Sequence, residues 1–355
     1  MRELHGAEGW RRRGAVLLGV LAVVAGSLGG AGEAATRLSV DRTVIRAVGS
    51  NCVRPRSTGF AYHYPVKPFD VQHPIRGFFG DPRTVTTATF GEDRPGSVGS
   101  FTFHNGVDIY AATGTLVYPV VSGVVKIARG DRVVVVSPDF RTFQYYHVRP
   151  AVHAGQRVVA YRTLLGRVLP RWLHVHLTEI DGFRVHNPAD LGHLEPYVDR
   201  TVPTVEDLLF TNEHGAAITP TALKGRVLVA ADAYDIPPLP VPGLWFDFPV
   251  TPALVTWRLS SNGTIVIPQT AAADFRLTEP PDSDFWRVYA AGTYQNFPVF
   301  DHIYYIHRRG RYLFNLTPSP LDTTALRNGA YALTVDVADV CGNRESFTQR
   351  VVVRN

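Results

Sequence analysis

The chain has 355 residues, 45% of them hydrophobic and 19% charged, with 36 Lys and Arg against 31 Asp and Glu for a formal charge of +5. That composition excludes an intrinsically disordered polymer, and with no block of Lys or Arg it also excludes a nucleic-acid groove. The 31 Gly and 26 Pro favour many turns over long helices, so a mostly β protein of two domains is expected.

At the N-terminus Arg11, Arg12 and Arg13 precede an apolar run from Gly14 to Leu28, followed by small residues through Ala34 and Ala35. This is the pattern of a signal peptide over residues 1–34, and so of an exported, secreted or cell-wall-associated protein. The run is short for a membrane span, which leaves an uncleaved N-terminal anchor as the lesser alternative. Cys52 and Cys341 are the only cysteines. In an exported chain their even count permits a disulfide, as well as two free thiols. Neither belongs to a CxxC pair, so any zinc must rest on histidine and carboxylate.

Residues 35–61 show no sustained period and read as an arm or linker. From Tyr64 onward short β-like runs recur at Leu116 to Val121, Gly123 to Ile127, Val133 to Val136 and Phe143 to Val148. No helix-length crossover separates them, which predicts an antiparallel β core over residues 62–197. Residues 198–220, with Pro203 and Pro220 around the apolar patch Val205 to Phe210, read as a linker. Beyond it, Asn262-Gly263 between two apolar runs is a hairpin signal, because that dipeptide accepts the positive φ of a tight turn. Tyr331, Leu333, Val335 and Val337 then alternate before Cys341-Gly342-Asn343 turns into Phe347, Val351 and Val353, a second hairpin. Residues 221–355 are accordingly expected to form an immunoglobulin-like β-sandwich.

The chemistry is concentrated in the first of these regions. His104 and Asp108 lie four apart around Gly106, where a helix is disfavoured. His174 and His176 are two apart, so on a strand both imidazoles project from one face. A zinc hydrolase needs about three protein ligands and one open position for water. His104, Asp108 and one histidine of the pair supply that set. No HExxH helix offers a glutamate base, so the other member of the pair and His147, which follows Tyr145 and Tyr146, are the candidates for proton transfer and electrostatic stabilisation. His153, His186 and His193 read as surface or turn residues, and Asp235 to Gly243, with its prolines, as a stiff connection.

Four histidines and one aspartate in this order resemble the lysostaphin-type, or LytM-type, zinc metalloendopeptidases. Further segments carry the likeness over about residues 62–197. Pro74 to Arg83 looks like the family's opening strand, Gly114-Thr115-Leu116-Val117 and Val121-Ser122-Gly123-Val124-Val125 are similar to its "GTPV" and "GVV" segments, and Val152 to Val158 resembles its second turn. The resemblance implies a largely antiparallel β fold, one Zn2+ per chain held by His104, Asp108 and His176, and catalytic roles for His147 and His174. It implies hydrolysis of amide bonds in the stem peptides or cross-bridges of peptidoglycan, with the bacterial cell wall as partner. A non-hydrolytic envelope-binding or regulatory protein with the same fold is the alternative. Two departures concern the groove: Leu169 to Leu173 replaces the Gly-rich approach to the HxH pair, and Thr84 to Phe101 makes a longer polar loop.

Overall fold

The computed structural model describes residues 39–45, 60–85, 92–93, 100–170, 172–294, 299–300, 303–304 and 310–355. The signal peptide expected over residues 1–34 lies outside them, as does Cys52 of the expected disulfide. Among the described residues no helix is long and apolar enough to cross a membrane.

The chain is mostly antiparallel β, as expected, and among the described residues the one α-helix is Phe285–Val288. The first region is built on an eight-stranded sheet. Seven of its strands run in the spatial order Arg157–Val158, Gly123–Arg129, Arg132–Val136, Thr142–Tyr146, His174–Asp181, Val107–Tyr110 and Ile75–Gly77, with Arg184–His186 hairpinned onto His174–Asp181. A three-stranded sheet of Val148–Pro150, Gly166–Val168 and Leu116–Val117 shares its core. Alternation explains the packing: along Thr142–Tyr146, Phe143 and Tyr145 are buried while Gln144 and Tyr146 are only partly covered. The alternate face is left for the candidate site.

A second core is enclosed by a five-stranded sheet (Val40–Ile45, Arg344–Val353, Gly329–Ala338, Leu254–Ser261, Thr264–Asp274) and a four-stranded one (Thr204–Asn212, Arg226–Tyr234, Leu313–Asn315, Leu321–Asp322). Both predicted hairpins are present, and Asn262 and Gly263 take φ of 49° and 78° at the first turn. The sheets form a sandwich over one core, although this strand order does not establish the immunoglobulin-like part of the expectation.

Two segments read as linkers contribute strands. Val40–Ile45 gains order by pairing along Arg344–Val353. Within 198–220, Thr204–Asn212 pairs with Arg226–Tyr234, and an irregularity between Val205 and Asp207 breaks the two-residue alternation that would have revealed it.

The two cores are joined by buried polar contacts. Tyr289 donates its hydroxyl to the Gly80 carbonyl at 2.7 Å, and the Thr251 amide donates to Asp81 Oδ1 at 2.8 Å. Phe79, Phe101 and Phe103, from the first half of the chain, are buried in the second core. Phe101 closes the stretch expected to be a polar loop, and Phe103 lies two residues beyond it. Near this junction Asp199, Asp235 and Asp339 bring carboxylate oxygens within 4.8 Å of one another. Their hydrogen-bond partners are neutral: Thr201, Tyr197, the Ile236 amide and Asn343.

Candidate metal centre

Val107–Tyr110 lies between Ile75–Gly77 and His174–Asp181, and its register sets Asp108 directly across from His176 on one side and Gly77 on the other. His104 precedes that strand. Its amide donates to the Asp81 carbonyl at 2.8 Å and its own carbonyl accepts from Gly80 at 2.9 Å, which fixes the approach to the strand. A Cβ on Gly106 would fall 2.3 Å from the Leu177 carbonyl oxygen and 2.9 Å from His176 Nε2. Glycine is therefore required there by the close passage of the neighbouring strand.

Three potential ligand atoms converge below these strands. His104 Nε2 is 2.8 Å from His176 Nδ1 and 3.1 Å from Asp108 Oδ1, and Asp108 Oδ1 is 3.2 Å from His176 Nδ1. Their outer nitrogens are occupied. His104 Nδ1 donates to the Phe78 carbonyl at 2.8 Å, which leaves Nε2 a lone pair directed inward. His176 Nε2 faces Asn105 Oδ1 at 3.0 Å and Thr178 Oγ1 at 2.8 Å, and donating there leaves Nδ1 in the same condition. Lone pairs facing one another at this range repel unless a cation lies among them. Separations of about 3.3 Å are those of neighbouring ligands around a tetrahedral zinc with bonds near 2.0 Å. The buried group His104, Asp108 and His176 thus could hold a metal ion.

Electrostatics agree with a neutral His104 imidazole and an ionised Asp108 carboxylate. Burial, reinforced by the charge of Arg83, pulls His104 down to about 3. Burial opposes the charge on Asp108, yet the facing imidazoles of His104 and His174 outweigh it and hold the carboxyl well below its ordinary value. Asp108 Oδ2, the oxygen turned away from the imidazoles, lies 3.5 Å from Arg83 Nη2 and 3.8 Å from Arg76 Nη2. A Cβ on Gly77 would sit 2.6 Å from that same oxygen, so glycine keeps the approach open.

The other two sequence-selected histidines adjoin this group. His174 Nδ1 donates to the Trp172 carbonyl at 2.5 Å, and its Nε2 is 3.3 Å from Asp108 Oδ1. The His147 ring lies 4.6 Å from that of His174 and 6.4 Å from that of His176. It stacks on Trp172 at 3.7 Å with 14° between planes. Its Nδ1 is 3.4 Å from Asp131 Oδ2 but makes no hydrogen bond. Burial, then the charges of His174 and His176, push His147 down to about 2. His147 and Leu173 adopt φ of 64° and 54°, the left-handed region uncommon for such residues. Strained backbone therefore brackets the site on both sides.

The structure brings His104, Asp108, His147, His174 and His176 into one cluster. Trp172 and Tyr146 are wall residues: Trp172 stacks on His147, and the Tyr146 ring stands edge-on to His176 at 5.3 Å. Trp245, close behind the Pro-rich stretch read as a stiff connection, covers the Arg76 guanidinium at 4.3 Å. His193 corrects its surface reading. It is buried, and its Nδ1 lies 2.7 Å from Glu179, which also accepts from Tyr62 and Arg141. Glu179 lies fourteen positions from its histidine, so no local spacing links the two.

No protein-family model and no curated protein matches the chain. Among solved structures it is similar to Csd3 of Helicobacter pylori, with 23% identity and a TM-score of 0.28 over 40% of this chain and 37% of that one. It is similar to the M23 metalloprotease pseudoalterin from the deep sea, with 19% identity and a TM-score of 0.24 over 41% of this chain and 83% of that one. Lysostaphin aligns with 12% identity and a TM-score of 0.23 over 74% of this chain and 87% of that one. The chain thus spans little more than a third of Csd3, and at such TM-scores the chemistry rests on the side chains alone.

Proposed function

We propose that the protein is an exported zinc metalloendopeptidase that hydrolyses amide bonds in peptidoglycan stem peptides or cross-bridges. The observation that carries this reading is the inward convergence of His104 Nε2, His176 Nδ1 and Asp108 Oδ1 at 2.8 to 3.2 Å, with two further histidines alongside. His104, Asp108 and His176 would hold the metal. When bound, zinc supplies a Lewis acid that acidifies water and polarises a carbonyl.

The remaining residues orient and move protons. His174 is fixed by its Nδ1 bond to Trp172, so its Nε2 faces the site. Stacking on Trp172 holds the His147 ring in place without consuming a ring nitrogen. These two imidazoles are the groups available to take a proton from water and to stabilise negative charge on the carbonyl oxygen. The segment similarities over residues 62–197 support the same reading, and the peptidoglycan substrate follows from that resemblance.

The test is digestion of purified cell-wall material with and without a chelator, beside a His104→Ala variant. Release of amino groups that stops with chelator and is absent from the variant is expected. Activity that survives either change would refute the mechanism, whereas stoichiometric zinc with no cleavage would point to a binding protein. Mass spectrometry of the released fragments identifies the bond.

A further inference from the structure

Among the described residues, Arg76 is a cation that shares its nearest carboxylate with a second arginine. Its side chain is 10% exposed, its Nε is buried with no hydrogen-bond partner, and its nearest carboxylate oxygen, Asp108 Oδ2, is 3.8 Å away. That oxygen lies closer to Arg83, at 3.5 Å, while Arg83 also pairs with Asp81 at 3.4 Å. The other oxygen of Asp108 is turned to the imidazoles. A divalent ion among the ligands would withdraw still more of the carboxylate's charge. Two arginines and that ion set against Asp81 and Asp108 leave positive charge unbalanced beside the site, and a buried cation without its counterion is costly.

The guanidinium is nevertheless held for use. Trp245 lies over it at 4.3 Å, and its Nη2 is 3.3 Å from His174 Nε2. Covering one face leaves the edge of the fork, whose N–H groups match a carboxylate in two parallel hydrogen bonds. We propose that Arg76, held under Trp245, is a specificity-determining residue that binds a free carboxylate of the substrate peptide next to the scissile bond. This inference rests on the peptidase reading above for its ligand class. It gives the distal half of the chain, through Trp245, a part in substrate choice.

A purely structural Arg76, serving only to position Asp108, is the competing explanation, and it predicts no selectivity for carboxylates. Titration calorimetry on the full chain freed of metal by chelator separates the two. Three probes are used: N-acetyl-D-alanyl-D-alanine, its C-terminal amide, and an amide-terminated dipeptide whose one carboxylate is a glutamate side chain. A charge-assisted pair is expected to favour an acid over the amide by roughly ten- to a hundredfold. Arg76→Gln should erase that preference, and Arg76→Lys should keep part of it. Whichever acid is preferred assigns the carboxylate as terminal or side-chain.

Equal affinity for acids and amide in the unaltered protein, or no binding of any probe, would overturn the inference, and so would a preference that survives Arg76→Gln. The comparison within the unaltered protein needs no variant to fold. Failure of the peptidase reading is seen separately, as a zinc-loaded chain that cuts no wall peptide while its acid preference persists.

Discussion

Replacing Asp199 by Asn should change how stability depends on pH. Asp199, Asp235 and Asp339 are 4 to 5% exposed and share one buried pocket. Burial raises all three; the charge of Asp199 then adds to the rise of both Asp235 and Asp339, and Asp339 reaches about 7. Between an ordinary aspartate near 3.8 and that value the folded chain binds more protons than the unfolded one. Stability present below about pH 4 is therefore lost as pH rises through about 7. A span of roughly three pH units at about 1.4 kcal/mol each makes the loss from Asp339 on the order of 4 kcal/mol. Asn at 199 retains the oxygen that accepts from Thr201 at 2.8 Å and removes the charge that both neighbours feel. Urea unfolding of both proteins at pH 4, 5.5, 7 and 8 supplies the comparison, in which groups elsewhere cancel. The variant should match the parent within about 0.5 kcal/mol at pH 4 and exceed it by about 1–2 kcal/mol near pH 7.5. A parallel pH profile, or a variant weaker at pH 7.5 than at pH 4 relative to its parent, would refute the account.

Gly106→Ala places a methyl group against the Leu177 carbonyl and His176. Loss of about 1–3 kcal/mol in urea unfolding and a zinc stoichiometry well below one are expected, and a variant that binds zinc normally would contradict the packing argument. His193→Ala leaves the fully buried Glu179 with Tyr62 and Arg141 only. A loss of about 1–3 kcal/mol at neutral pH is expected. Because Glu179 outweighs burial and raises His193, that deficit should shrink as pH rises through the raised value, which paired unfolding curves can check. Asp81→Asn removes the carboxylate that holds Arg83 and should lower zinc affinity by roughly ten- to a hundredfold in a chelator competition, as changes behind a ligand commonly do.

The antiparallel class and both distal hairpins were legible because they are written in local signals, alternation of apolar residues and Asn262-Gly263. The strand Thr204–Asn212 was not, since the irregularity after Val205 puts Glu206 and Asp207 where alternation calls for one residue. At the site, His174 and His176 announce themselves through two-residue spacing, and His104 with Asp108 through four. The reason for Gly106 was only half legible: sequence suggests a turn, whereas the requirement comes from a carbonyl on a strand some seventy residues away. The backbone at His147 and Leu173 was opaque, because local propensity disfavours positive φ at both and only the surrounding packing imposes it. Arg76 and Trp245 come from opposite halves of the chain and meet across 169 positions, a distance no periodicity spans.

That last pairing bears on why a second core is present at all. The Thr251 amide, from the distal half, donates to Asp81 Oδ1 at 2.8 Å; Asp81 Oδ2 lies 3.4 Å from Arg83, and Arg83 is 3.5 Å from Asp108 Oδ2. Asp108 in turn offers its other oxygen to the imidazoles. With Asp81 anchored, Arg83 has a counterion of its own and Asp108 is left free to face the metal position. Were the distal contact broken, Arg83 would settle more fully on Asp108, and a guanidinium competing for the ligand carboxylate weakens a metal site from behind. The Gly80 carbonyl, fixed by Tyr289, steadies the same turn, because the Gly80 amide donates to the His104 carbonyl. Two of the three candidate ligands are thus positioned through residues whose partners lie beyond residue 250, so the sandwich reaches the candidate metal centre through hydrogen bonds.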